Sequence, residues 1–139
     1  MENLQVVRPR MRGAIKQSIY VVMRDPASPF APQATFAFNA AGINMSYCKK
    51  RGARVAITPV TLAAITTAWA SGGVKLVDDT NMPGLVRFDL PDAVFADDGV
   101  SDEVFFTVKA TGWATITVCI PLTDERDIKL NGVTTRTNS

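Results

Sequence analysis

Asp78, Asp79, Asp97 and Asp98 are the residues of this chain whose type and spacing most invite a chemical reading. Paired carboxylates serve acid–base hydrolysis when two of them face one substrate bond. Each pair here consists of chain neighbours, and neighbours on a strand point to opposite faces, which is poor geometry for a shared centre. The run Asp92, Asp97, Asp98, Asp102 and Glu103 offers the closely spaced oxygen ligands that calcium takes, but Asp97-Asp98-Gly99 lacks the EF-hand spacing. A solvated turn is the expectation. No histidine occurs in the 139 residues. Acid–base chemistry near neutral pH, most zinc sites and Ser–His or Cys–His pairs lean on that side chain. Cys48 and Cys119 lack metal-ligand spacing and are expected as two reduced thiols. A bridge between them requires neighbouring strands. The sequence holds no glycine-rich dinucleotide fingerprint, phosphate-binding loop, Gly-x-Ser-x-Gly elbow or Cys-x-x-Cys pair. No catalytic residue, metal ligand or cofactor is therefore expected, and the chain is read as non-enzymatic.

Contact chemistry is the alternative, and the basic residues carry it. Arg8, Arg10 and Arg12 lie in a proline-containing start without apolar periodicity, read as an extended arm over 1–12 that orders only when something binds it. Lys49, Lys50 and Arg51 form a basic turn before Gly52. These six are the candidate partner contacts. The arm has no aromatic platform or supporting basic stripe, so nucleic acid is not an expected partner. Net charge is +2, but residues 1–54 hold nine Lys/Arg against two Asp/Glu, while 55–139 hold six against eleven. Such a split suits head-to-tail contact between identical copies. With 47% hydrophobic and 20% charged residues the composition is that of an ordinary globule, and no apolar run approaches the ~18–20 residues of a membrane span. The start lacks a secretory pattern, which points to synthesis in the cytosol.

The elements that must present these residues are strands. Ile19, Val21 and Met23 alternate within a strand expected over Ala14–Met23. The proline-rich stretch 25–32 reads as a loop, and Phe36 and Phe38 share one side of a short extended piece. Ile43, Met45 and Tyr47 face inward on the next strand. Residues 54–70 are ambiguous: Val55, Ile57, Val60, Leu62 and Ile65 could line a strand, whereas 61–70 could be a short helix; β-branched content favours extended chain broken near Pro59. Val74–Val77 then pairs across an Asn81–Gly84 turn with Leu85–Leu90. There Val86, Phe88 and Leu90 point inward and Arg87 and Asp89 outward. Glu103–Ala110 buries Val104, Phe106 and Val108. Trp113–Leu122 buries Ile116, Val118, Ile120 and Leu122 and turns Cys119 outward. The expectation is an all-β domain over 13–122, an antiparallel β-sandwich or jelly-roll-like barrel of seven to eight strands. A polar C-terminal tail follows over 123–139.

The tract from Arg12 to Leu122 resembles a small β-sandwich module of tailed-bacteriophage structural proteins. Arg12-Gly13, Gly72-Gly73-Val74-Lys75-Leu76-Val77-Asp78 and Val108-Lys109-Ala110-Thr111-Gly112 carry the likeness. Its most specific part is Asn81-Met82-Pro83-Gly84 followed by Arg87-Phe88-Asp89-Leu90-Pro91-Asp92. The proline-rich insert at 26–32 and the lack of a long fibre-forming segment after Leu122 depart from it. The resemblance implies a virion component, made in the host cytoplasm, that joins other virion proteins and copies of itself as an oligomer. Tail, collar or fibre association comes first, and capsid decoration or cementing of the head is the rival. A carbohydrate-binding sandwich, with Trp69 and Trp113 as stacking platforms, is the reading from another class.

Overall fold

The computed structural model describes residues 4–25 and 43–123. The proline-rich loop, Phe36, Phe38 and the tail from 124 lie outside the described residues. Ten strands occur among them: β1 (Leu4–Val6), β2 (Arg10–Met11), β3 (Ser18–Val22), β4 (Asn44–Lys49), β5 (Val55–Ile57), β6 (Val60–Thr61), β7 (Gly73–Asp78), β8 (Met82–Asp89), β9 (Glu103–Ala110) and β10 (Trp113–Thr123). They form two packed, mixed sheets, and the fold is an all-β sandwich. The larger sheet runs β1-β10-β9-β4-β5, with β2 continuing beside the end of β10; the smaller runs β3-β8-β7-β6.

Alternation decides which faces meet. Ile19, Val21, Val86 and Phe88 of the smaller sheet are buried against Val104, Phe106, Val108 and Val118 of the larger one. Phe88 and Phe106 join the two sheets edge to face, with ring centroids 5.3 Å apart and planes at 60°. The hairpin β7–β8 pairs the expected strands, with Val74 opposite Phe88 and Leu76 opposite Val86, but its turn falls at 79–81 rather than 81–84, and Met82, Pro83 and Gly84 belong to β8. Of residues 54–70, the expected extended chain forms only as far as Thr61; 62–70 are neither strand nor helix but a run of bends and turns. The break at Thr58-Pro59 is where the chain leaves the larger sheet at β5 and enters the smaller one at β6.

Three expectations need correction. The N-terminal arm is not free: β1 and β2 lie parallel to β10, Leu4–Val6 against Thr117–Cys119 and Arg10–Met11 against Leu122–Thr123. Eleven residues of apolar β10 would otherwise present a long open edge, and these two short strands close it. Cys119 has the outward phase yet is only 8% exposed. It sits on the outer face next to Phe105 in register, and burial first, then nearby Glu103, raises its thiol pKa. Third, Val55 and Val60 do not line the core but are 45% and 40% exposed on the two edge strands. Cys48 and Cys119 both pair with Phe105, from opposite sides, so β9 separates them. Two strand spacings of ~4.8 Å exceed the reach of a disulfide.

Phe88→Ala should lower stability by about 3–5 kcal/mol in chemical denaturation, because the ring is fully enclosed between the sheets. A loss under about 1 kcal/mol contradicts the packing. Thiol titration of freshly unfolded, non-reduced protein should find both cysteines free; finding none contradicts the strand order.

Candidate functional site

Two features the sequence set apart, the basic turn and the acidic loop, meet at one end of the sandwich. The β4–β5 turn carries Lys50 and Arg51, and its Gly52 amide closes onto the Lys49 carbonyl at 2.7 Å. Arg51 holds a left-handed φ of 67°. Opposite it, the chain leaves β8 through a 3-10 turn over Asp92–Phe95 and crosses to β9. Lys49 Nζ donates to the Ala96 carbonyl at 2.6 Å, and Lys50 pairs with Asp102 at 3.4 Å. Both partners of that pair are about half exposed, so it is worth at most ~1 kcal/mol. A cavity of about 450 Å³ opens between turn and loop, walled by Tyr47, Val55 and Val100 and rimmed by Lys49, Lys50 and Arg51. Val100 is 83% exposed, an apolar side chain set beside three cations.

The carboxylates of the loop are engaged in shaping it. Asp97 Oδ1 accepts from the Gly99 amide at 2.9 Å. Asp98 Oδ1 accepts from the Val100 and Ser101 amides, and its Oδ2 from the Ser101 hydroxyl at 2.6 Å. The Ser101 bonds, first among several, hold the Asp98 carboxyl well below the usual carboxylate range. Asp92 Oδ1 accepts from the Lys16 amide at 2.7 Å. Among the described residues no group of three or more His, Cys, Asp or Glu is placed to hold a metal ion.

The arm arginines lie elsewhere and do different work. Arg10 donates to Gln17 Oε1 at 2.8 Å and to the Ser18 carbonyl at 3.3 Å, and Arg12 forks onto the Ser101 carbonyl. Arg12 thus ties the N-terminal segment to the acidic loop, whereas Arg8 is exposed. Trp69 is half-buried and donates its Nε1 hydrogen to the Gln17 carbonyl at 3.2 Å, and Trp113 belongs to the core at 8% exposure. A two-tryptophan stacking face is not formed.

The sequence reading missed the most heavily bonded side chains. Arg87 and Asp89 have the outward phase, as expected, but are 6% and 0% exposed instead of solvated. Arg87 Nε and Nη2 reach the two Asp89 oxygens at 2.8 and 2.7 Å. Its Nη1 donates to the Ile65 and Thr67 carbonyls at 2.6 and 2.9 Å. Asp89 also accepts from the Ser18 hydroxyl at 2.6 Å and the Ala70 amide at 3.0 Å. Together they pin the 62–72 segment over the outer face of the smaller sheet. The adjacent glycines make room. A Cβ on Gly73 would come within 2.8 Å of Leu62 and 2.9 Å of Asp89, and one on Gly72, whose φ is +82°, would strike the Thr58 carbonyl. The signal was available: an Arg-x-Asp pair on one strand face, preceded in the partner strand by two glycines.

No protein-family model, curated protein or solved structure matches this chain. Among the described residues no helix is long and apolar enough to cross a membrane.

Burial pushes the Asp89 carboxyl up, but hydrogen bonds from Arg87, Ser18 and Ala70 outweigh it, and the group ends below its ordinary value. A depressed native pKa adds stability that is complete above the unfolded value and lost as pH falls through the native one. Asp89→Asn should therefore cost about 3 kcal/mol or more at neutral pH, leaving Arg87 buried without its counter-charge. Below about pH 4 its stability should also fall less steeply than that of the parent protein. Urea midpoints measured across that pH range check both, and parallel curves contradict the assignment.

Proposed function

We propose that this chain is a non-enzymatic structural component of a tailed-bacteriophage particle, joining neighbouring tail, collar or fibre-associated parts through its surfaces and termini. The observation that carries this reading is the behaviour of the tract from Gly72 to Asp92, which carries most of the phage-module likeness. Gly72, Gly73, Arg87 and Asp89 within it all serve one buried brace, and Asp78 caps the β7–β8 turn through the Thr80 and Asn81 amides at 2.9 Å. The likeness thus falls on residues that hold a scaffold rigid. A rigid scaffold with its polar groups already engaged acts through its surface.

The basic turn is the contact this reading favours. Its Lys50 and Arg51 are exposed on a tight reversal that shares a cavity with exposed Val100 and leads into β5, an edge strand with exposed Val55 and Ala56. An exposed edge with a cationic rim suits an extended or acidic surface on the next subunit, whether another virion protein or a second copy of this chain.

The double variant Lys50→Glu/Arg51→Glu tests it. Its melting temperature should stay within about 3 °C of the parent, because the lost Lys50–Asp102 pair is exposed. Incorporation into particles should fall by about tenfold or more, and raised salt should weaken incorporation of the parent. Equal incorporation of variant and parent at every salt concentration contradicts the proposal. Copy number per particle then separates a tail position from a head position.

A further inference from the structure

The outer face of the larger sheet carries a second concavity, distinct from the basic-turn cavity. Register places Asn44 opposite Lys109, Ser46 opposite Thr107 and Cys48 opposite Phe105 across the β4–β9 pair. Arg54, immediately before β5, reaches back over β4: its Nε donates to Ser46 Oγ at 2.7 Å and its Nη2 to Asn44 Oδ1 at 3.3 Å. The resulting groove holds about 420 Å³ and is lined by Arg54, Lys109, Asn44, Ser46, Thr107 and the flank of Phe105, among others. That volume lies in the usual ligand-pocket range of ~300–1,000 Å³.

Its charge is one-sided. The lining contains two cations and no Asp or Glu. Arg54 bonds only neutral oxygens, and Lys109 is exposed without a partner among the described residues. Two like charges beside one groove repel unless an anion enters. The arginine is also pre-set. Ser46 and Asn44 take the Nε–Nη2 edge of the guanidinium, leaving Nη1 and the second Nη2 hydrogen free as a fork for two oxygens. Half-buried Phe105 and Tyr47 give the groove an apolar floor and end.

We propose that this groove recognises a carboxylate side chain presented by an extended segment of a neighbouring protein, with Arg54 gripping the oxygens, Lys109 supplying a second charge and Phe105 supporting the adjoining apolar residue. The inference rests on the assembly reading above. An extended peptide fits better than a compact ligand because the lining follows β4 and β9, from Asn44 and Lys109 to Cys48 and Phe105, on the sheet that ends at the β5 edge.

The test titrates the full-length protein, observed by amide NMR, with the blocked peptide acetyl-Val-Glu-Val-Glu-Val-amide, its Gln counterpart and inorganic phosphate. The Glu peptide should bind about tenfold or more tightly than the Gln peptide, with shifts centred on Ser46, Arg54, Thr107 and Lys109. Arg54→Gln should weaken the Glu peptide by about tenfold, with Arg54→Lys falling between Arg54→Gln and the parent, since it keeps charge but loses the fork. Lys109→Gln, which breaks no internal bond, should weaken it about threefold and leaves the test readable if Arg54→Gln fails to fold. Equal binding of both peptides, binding of neither, or phosphate binding at these residues while the Glu peptide is ignored overturns the proposal. Normal particle incorporation of both Arg54→Gln and Lys109→Gln despite their weakened peptide binding rejects the groove as an assembly contact and leaves the structural role standing. A parent protein that binds the peptide but never enters particles rejects the structural role instead.

Discussion

An arginine and a carboxylate withdrawn from water on the outer face of a sheet set the terms for the rest of this fold. Removing two charges from solvent costs several kcal/mol each unless every remaining lone pair and proton finds a partner. The Arg87–Asp89 pair meets that demand by drawing on three places: the Ser18 hydroxyl on β3, the Ala70 amide, and the Ile65 and Thr67 carbonyls. The 62–72 segment has almost no regular structure of its own, and this pair decides where it lies. Gly73 must lack a side chain so that the segment can approach Asp89, and Gly72 must turn left-handed past Thr58. The passage from β5 to β6, which takes the chain from one sheet to the other, is anchored at the same point by the Val60 amide on the Gly72 carbonyl.

Covering the Arg87–Asp89 part of that face leaves other surfaces for contact. The smaller sheet is covered on its inner side by the core and, around Arg87 and Asp89, on its outer side by the 62–72 segment, while Tyr20 on β3 stays half exposed. The larger sheet keeps an exposed outer surface with Arg54 and Lys109, and the end of the sandwich keeps the basic turn beside Val100. On the proposed structural role, the braced sheet provides rigidity and the larger sheet provides the binding surfaces. Arg12, bonded to the Ser101 carbonyl, couples the N-terminal strands to the loop that faces the basic turn.

Wherever one face of a strand is buried and the other solvated, the fold was legible in the sequence. Ile19-Val21-Met23 and Val104-Phe106-Val108 alternate cleanly, and both are buried as their period demands. The logic fails where a face is covered by something other than a sheet. Alternation assigns Arg87 and Asp89 to solvent because it contains no information about a loop folding back over them. β1 and β2, three and two residues long, are too short to show any period, and the unfilled edge of β10 recruits them. The basic residues were legible as charge but not as groups: Lys49, Lys50 and Arg51 stay together, whereas Arg10 and Arg12 turn inward to backbone and side-chain oxygens. Arg54 and Lys109, 55 positions apart in the chain, meet only because β4 and β9 are neighbours.

Amide hydrogen exchange of the native protein tests the central claim, that the buried pair binds the 62–72 segment into the cooperative fold. The Ala70 amide bonds Asp89 Oδ2, the Gly72 amide bonds the Asp89 carbonyl, and the Gly73 amide bonds the Ala70 carbonyl. If the pair is the brace, these three amides exchange only through large-scale unfolding, with opening free energies within about 1 kcal/mol of those measured for β8. Exchange of Ala70 and Gly72 at the rate of an ordinary surface loop, while β8 stays protected, would contradict it.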